Sequence, residues 1–306
     1  MARTPESEHD QRRWISHGGL CDALLRKSRK AFHVSQPLDR SAEDLSNVIR
    51  LEHINTAIPS QSAATTFYVT GLGLTRDPYM MTGVSNMWIN VGRGQFHLPT
   101  GEPQVLRGHV GLILQDRHAL LGRLAAVSAD LAGSAFAFME QEAHVEVISP
   151  WGNHFRCYEP SDRFGPFSLG IAYAEFLVPK GSAELIARFY REILESFAEV
   201  DDRDGVRVAR CSVGHCQSLL FRESNDTLPP YDEHHIQIYL VNISRPHARL
   251  VARGLISEES NQWQYRFRDI VDLDTGRVVF TVEHEVRSMT HPLFGRQLIN
   301  RDSNQT

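Results

Sequence analysis

Cysteine is scarce in this chain: Cys21, Cys157, Cys211 and Cys216 are the four in 306 residues. None sits in a Cys-x-x-Cys spacing, which excludes a structural zinc knot of that type. So few thiols in a long chain fit a reducing, cytoplasmic compartment. Long apolar runs are missing too; none approaches the roughly 20 residues needed to span a bilayer. There is no basic excess. Lys and Arg number 32 against 37 Asp and Glu, a formal charge of −5, which gives no electrostatic case for nucleic acid. No Gly-x-Gly-x-x-Gly or Gly-Lys-Ser/Thr follows a strand, and Gly71-Leu72-Gly73 reads as a helix stop. No nucleophile elbow or Ser-His-Asp pattern occurs.

What is there is a globular composition, 42% hydrophobic and 23% charged, with 15 histidines. Residues 1–47 lack the apolar core of a secretory signal. Arg12, Arg13 and the run Arg26-Lys27-Ser28-Arg29-Lys30 are basic, but Glu6, Glu8, Asp10 and Asp22 interrupt them. The segment reads as a solvated extension, with one short helix over Gly19 to Phe32.

From residue 48 onward a pattern is played four times. The starts are Leu51-Glu52-His53-Ile54-Asn55, Gly108-His109-Val110-Gly111-Leu112, Ala172-Tyr173-Ala174-Glu175-Phe176 and His234-His235-Ile236-Gln237-Ile238. Each is an apolar strand with polar residues on one face, followed by a helix and further strands. In the first unit the period of two puts His53 and Asn55 on one face. Pro59 ends the strand, Ser60 caps a helix over Gln61 to Thr70, and Gly71 stops it. Gln95 and His97 then share a face of a later strand. In the second unit a helix near Asp116 to Leu131 ends at Gly133, and Pro150-Trp151-Gly152-Asn153 turns into the strand His154 to Glu159. Phe155, Cys157 and Glu159 point one way there and Arg156 the other; Cys157 reads as a core thiol. Residues 161–167 form a polar linker. The third unit repeats the first, with Ser182 as N-cap. The fourth repeats the second, its last strand ending at Glu283, with 287–306 as an extended tail.

This arrangement resembles the vicinal oxygen chelate superfamily of glyoxalases, bleomycin-resistance proteins and extradiol dioxygenases. The resemblance is carried by His53 with Phe67-Tyr68-x-x-Gly71-Leu72-Gly73-Leu74, by Arg107-Gly108-His109-Val110-Gly111, and by Pro150-Trp151-Gly152-Asn153-x-Phe155-Arg156-x-x-Glu159. It implies an α+β fold of four βαβββ modules paired into two half-open glyoxalase-like barrels, with domains 48–160 and 168–286. It further implies one divalent metal, Fe2+ or Zn2+, Ni2+, Co2+ or Mn2+, held by His53, His109 and Glu159, with His97 as a fourth ligand. Two His and a carboxylate suit a ring-cleaving Fe(II) dioxygenase; a fourth ligand suits a redox-neutral lyase, isomerase or epimerase in which Glu159 doubles as base. The partner is a small oxygen-chelating substrate, and assembly as a homodimer stays open. The matching positions of the second domain are Tyr173, Leu219, His235 and Glu283. Tyrosine is a poor ligand at neutral pH, so that domain is expected to be a structural partner. A metal-free binding protein is the rival reading.

Overall fold

The computed structural model describes residues 40–80, 83, 85–203 and 205–301. Residues 1–39, with the helix expected over Gly19 to Phe32, lie outside the described residues. The chain divides at Asp44 into two units. In the first, Arg40–Glu43 form one 3-10 turn. The second holds everything else, beginning at Leu45.

The four modules are present. The first comprises β1 (Val48–Asn55), a helix that begins as α1 (Gln61–Ala64) and runs on as a π-helical segment (Thr65–Gly71), then β2 (Thr75–Arg76), β3 (Asn86–Val91) and β4 (Gly94–Pro99). The Ser60 side chain accepts from the Ala63 N–H, the expected cap. The second has β5 (Gly108–Ile113), α2 (Arg117–Val127), β6 (Ala137–Glu140), β7 (Val145–Ile148) and β8 (His154–Tyr158). Asp116, not predicted in that role, caps α2 through the Ala119 N–H. The third has β9 (Gly170–Pro179), α3 (Ala183–Glu192), β10 (Ala198–Arg203), β11 (Val206–Gly214) and β12 (Gln217–Ser224). The fourth has β13 (His235–Leu240), α4 (Ser244–Val251), β14 (Ile256–Asn261), β15 (Gln264–Val271) and β16 (Val278–Ser288). No helix among the described residues is long and apolar enough to cross a membrane.

The modules pair in an order that differs from their order in the chain. One eight-stranded sheet runs β14-β15-β16-β13-β1-β4-β3-β2, and the other β10-β11-β12-β9-β5-β8-β7-β6. The first module therefore continues into the fourth through antiparallel β1 and β13, and the second into the third through β5 and β9. The boundary read at 161–167 divides the chain in sequence, but each sheet crosses it. Neither sheet closes into a barrel; both stay open, mixed sheets.

Sequence neighbours instead meet through aromatic side chains. Phe155 of β8 lies 5.8 Å from Phe67 and 5.7 Å from Phe96, ring centre to ring centre, joining modules one and two. Phe267 of β15 lies 5.9 Å from Phe189 of α3, joining three and four. Burying a ring of this size contributes about 1.5–3 kcal/mol. Glycine permits the close approach of helix to helix: a Cβ on Gly71 would sit 3.3 Å from Val127 Cγ2 of α2. Because Phe96 faces this core, Gln95 and His97 must face the other way, and that alternation puts the polar residues of the first sheet on one open face.

Two segments beyond the strands shape the open faces. In the second sheet, Phe164 and Phe167 of the linker pack with Tyr158, Tyr173, Val208 and Leu220, filling its outer face. In the first sheet the last strand was expected to stop at Glu283 but runs to Ser288, so His284, Glu285 and Arg287 are strand residues. The chain then returns across the sheet as a strap. Phe294 rests 4.9 Å from Tyr239, Asn90 Nδ2 donates to the Ile299 carbonyl, and Asn300 bonds both N–H and C=O of Gly92.

Candidate metal centre

Strand register brings the polar residues of the first sheet into rows. On β1 and β4, His53 stands opposite Gln95 and Asn55 opposite His97. Across the module junction, Asn55 stands opposite His235 and His53 opposite Gln237. On the far side, His235 faces Glu283 and Gln237 faces Glu285. A register shift between Leu51 and His53 inserts one extra residue into β1. Such a bulge re-aims side chains, and the Glu52 carboxylate ends 3.4 Å from His53 Nδ1.

The result is a cluster of three histidines, His53, His97 and His235, whose ligand atoms lie within 4.8 Å of one another. All three Nε2 atoms are buried without a hydrogen-bond partner. On each Nδ1 side there is a second group. Glu52 lies 3.4 Å from His53, Asn55 2.6 Å from His97, and Glu283 3.8 Å from His235. A carboxylate, or the oxygen of a carboxamide, that accepts Nδ1–H fixes the tautomer whose Nε2 carries a lone pair. At His97 it is the Asn55 Nδ2 that donates to Nδ1, so its Nε2 becomes a ligand only with that amide turned over so that Oδ1 accepts. Glu285 approaches from the other side, its Oε2 3.6 Å from His235 Nε2. Arg266 binds both Glu283 and Glu285, at 2.9 and 2.6 Å, and Arg287 lies 2.6 Å from Glu285 and 3.3 Å from Glu52.

Burial keeps these imidazoles neutral. It lowers the His97 pKa to about 4, helped by Arg287 and Arg266, and puts His53 and His235 well below the ordinary histidine range. Neutral imidazole is the form that ligates. The donor set, three nitrogens with a carboxylate beside them, suits a divalent transition metal. Trp88 stacks on His97 at 3.9 Å and meets His53 edge-on at 5.1 Å, fixing both rings. Gln237, fully buried beside His53 and Glu285, has no hydrogen-bond partner on either amide atom.

Of the residues expected to meet, the structure joins His53 to His97 and brings neither His109 nor Glu159 to them. His109 is on β5 in the other sheet, its Nε2 3.1 Å from the Tyr173 hydroxyl and its Nδ1 3.7 Å from Glu175. Burial, and then Arg156, lower its pKa to about 3. Glu159 follows β8, is exposed, and accepts from the Arg117 N–H at 3.3 Å. The physical reason is pairing: β5 lies between β9 and β8 in the second sheet, whereas β1 pairs with β13 in the first. His235, expected to sit in a structural partner, supplies the third imidazole. His234 is fully buried, 2.5 Å from Asp232 and stacked on Phe176. Glu285 was missed although its signal was present, since it shares a strand face with Glu283. Tyr173 and Tyr158 bond each other at 3.0 Å, so the corresponding place in the second sheet is occupied by protein. Arg107 lies over Phe280 at 4.3 Å, Arg156 is paired with Glu146 at 2.8 Å, and Cys157 is a buried thiol.

No protein-family model and no curated protein sequence matches the chain. Solved structures do. Glyoxalase I from Zea mays aligns with a TM-score of 0.55 at 12% identity, over 79% of this chain and 92% of that one. A variant of the same maize enzyme gives 0.58 at 12% over the same shares. A Bacillus subtilis subsp. subtilis str. 168 protein, provisionally named a dioxygenase, gives 0.50 at 14% over 83% and 92%. The likeness holds over most of each chain: this protein has the tandem glyoxalase-like fold that its sequence resembled.

Proposed function

We propose that this chain is a divalent-metal enzyme acting on a small organic substrate that chelates through adjacent oxygens. The metal is held by His53, His97 and His235, with Glu285 as the fourth ligand. The observation that carries this reading is the convergence of three buried, unpartnered Nε2 atoms, which in a folded protein are costly unless something binds them. When bound, the metal supplies a Lewis-acid charge that stabilises negative charge on a substrate oxygen.

The chain's own groups do the rest. Glu52 holds the His53 imidazole in the ligating tautomer, Glu283 flanks His235, and the Asn55 amide, turned over so that Oδ1 accepts, does the same for His97. Gln237 presents one donor and one acceptor to the substrate and orients it. Glu285, steadied by Arg266 and Arg287, takes a proton from the carbon beside the chelating oxygens and returns it. Three imidazoles with one carboxylate favour the redox-neutral lyase, isomerase or epimerase chemistry over ring cleavage.

Metal analysis of anaerobically purified protein tests the reading. Wild type is expected to retain about one transition-metal ion per chain, His235→Ala almost none, and His109→Ala the wild-type amount. Retention by His235→Ala would refute the ligand set. A metal-free wild type would leave a small-molecule binding protein. Oxygen uptake with catechols would move the reaction to the dioxygenase class.

A further inference from the structure

Away from the histidine face, a cleft of about 990 Å³ opens between the start of β1, the β3–β4 turn, the linker and the strap. Five arginines line it, Arg50, Arg93, Arg123, Arg296 and Arg301, and among the described residues no Asp or Glu does. In a chain of formal charge −5 this is a local concentration of the minority sign. A cleft lined by one sign of charge focuses its field and draws counter-ions inward.

Part of that charge is answered from behind the walls. Arg296 is paired with Asp77 at 2.9 Å, and Asp116 lies near enough to Arg123 to act on it. Arg301 gives one nitrogen to the Val69 carbonyl and has a buried Nε with no partner. The Arg50 and Arg93 side chains form no hydrogen bond or ion pair among the described residues, although Arg50 lies near enough to Glu52 to act on it. Burial lowers the proton affinity of Arg123, against Asp116 and with a smaller contribution from Arg301. Guanidinium groups are planar forks suited to bidentate binding of phosphate and carboxylate. The cleft exceeds what a single inorganic anion fills and falls in the size range of small-molecule sites. Phe167 of the linker and Leu169 just after it add an apolar wall for an organic body.

We propose that this cleft binds a multiply charged small organic anion, a phosphate ester or a polycarboxylate, through Arg50, Arg93 and Arg301, at a site separate from the histidine cluster. The strap ties the two places together, because Arg296 lines the cleft while its other contacts, Asp77 and Gln95, lie on the histidine side.

Calorimetric titration of the full-length protein at low ionic strength, with inorganic pyrophosphate and separately with citrate, tests the proposal. Saturable binding of at least one anion is expected, at about one per chain. Arg93→Glu should weaken it at least tenfold, Arg50→Gln clearly, and added salt steadily. The tighter of the two anions tells phosphate from carboxylate chemistry. Both probes also chelate metals, and Arg93→Glu separates that effect, since Arg93 has no contact with the histidines or with the groups that hold them, whereas Arg50 acts on Glu52. Binding equal in wild type and both variants would overturn the proposal, as would no binding of either anion. Arg93 is exposed in a turn, so Arg93→Glu carries the test if Arg50→Gln fails to fold.

Discussion

A glutamine with no partner in a fully buried place is an expense to the fold, and Gln237 is such a residue. If its amide exists to meet a ligand, Gln237→Leu removes an unsatisfied polar group and fills the same space. Urea denaturation of that variant should show unchanged stability, or a gain of up to about 1 kcal/mol. A loss of more than about 2 kcal/mol would mean that the amide is bonded within the folded protein, and it would lose its substrate role. His109 offers a second residue-scale test. Its folded pKa of about 3 lies below the ordinary 6.5, so the unfolded chain takes up the proton first as pH falls. The stability tied to neutral His109 is complete above about pH 6.5 and is lost toward pH 3. Denaturation curves between pH 6 and 4 should therefore be flatter for His109→Phe than for wild type, by up to about 1.4 kcal/mol per pH unit. Equal slopes would show that this ring is protonated in the folded state.

Among the elements, β1 and β16 decide the site. β1 is buried on both faces and carries the bulge that turns Glu52 toward His53, and β16 runs two turns of alternation past Glu283 to deliver Glu285 and Arg287. The apolar alternation of β1 and the shared face of Gln95 and His97 are readable from residue types. The bulge is not, because an extra residue is defined only by the strand it is paired against. The length of β16 is hidden for a related reason: Glu283, His284, Glu285 and Arg287 look like a polar tail until Arg266 and Glu52 neutralise them. The junction of β5 and β9 depends on the small size of Gly111. A Cβ there would come 2.1 Å from the Tyr173 ring, whose hydroxyl is held by His109 and Tyr158. Gly111→Ala should cost about 1–3 kcal/mol by overpacking, read as a lowered thermal midpoint. Wild-type stability would mean that the ring swings away and that the Tyr173 bonds contribute little.

For the whole molecule, the consequential fact is that sheets and sequence neighbours are partitioned differently. Modules one and two share a core of Phe67, Phe96 and Phe155, yet each finds its strand partner in the other half of the chain. A fragment of residues 48–160 would bury its aromatic core while exposing the edges of β1 and β5. Unpaired edges of this kind drive association. Expressed alone, residues 48–160 should aggregate or self-associate and retain no metal. Expressed together with 161–306, they should form a 1:1 complex that recovers it. A monomeric 48–160 fragment that binds metal would contradict the sheet order.

The sequence by itself determined the modules, because strand alternation, Ser60 and glycine stops act over a few residues at a time. It determined as well that His53 and His97 point the same way as their polar neighbours. The identity of the other half of the site was decided by tertiary structure alone. β1 can pair equally well, by local criteria, with β5 or with β13, since all three are apolar strands that open a module. The choice appears only in the long-range register of β1 on β13 and of β5 on β9, which no local pattern encodes, and it exchanged His109 and Glu159 for His235 and Glu285.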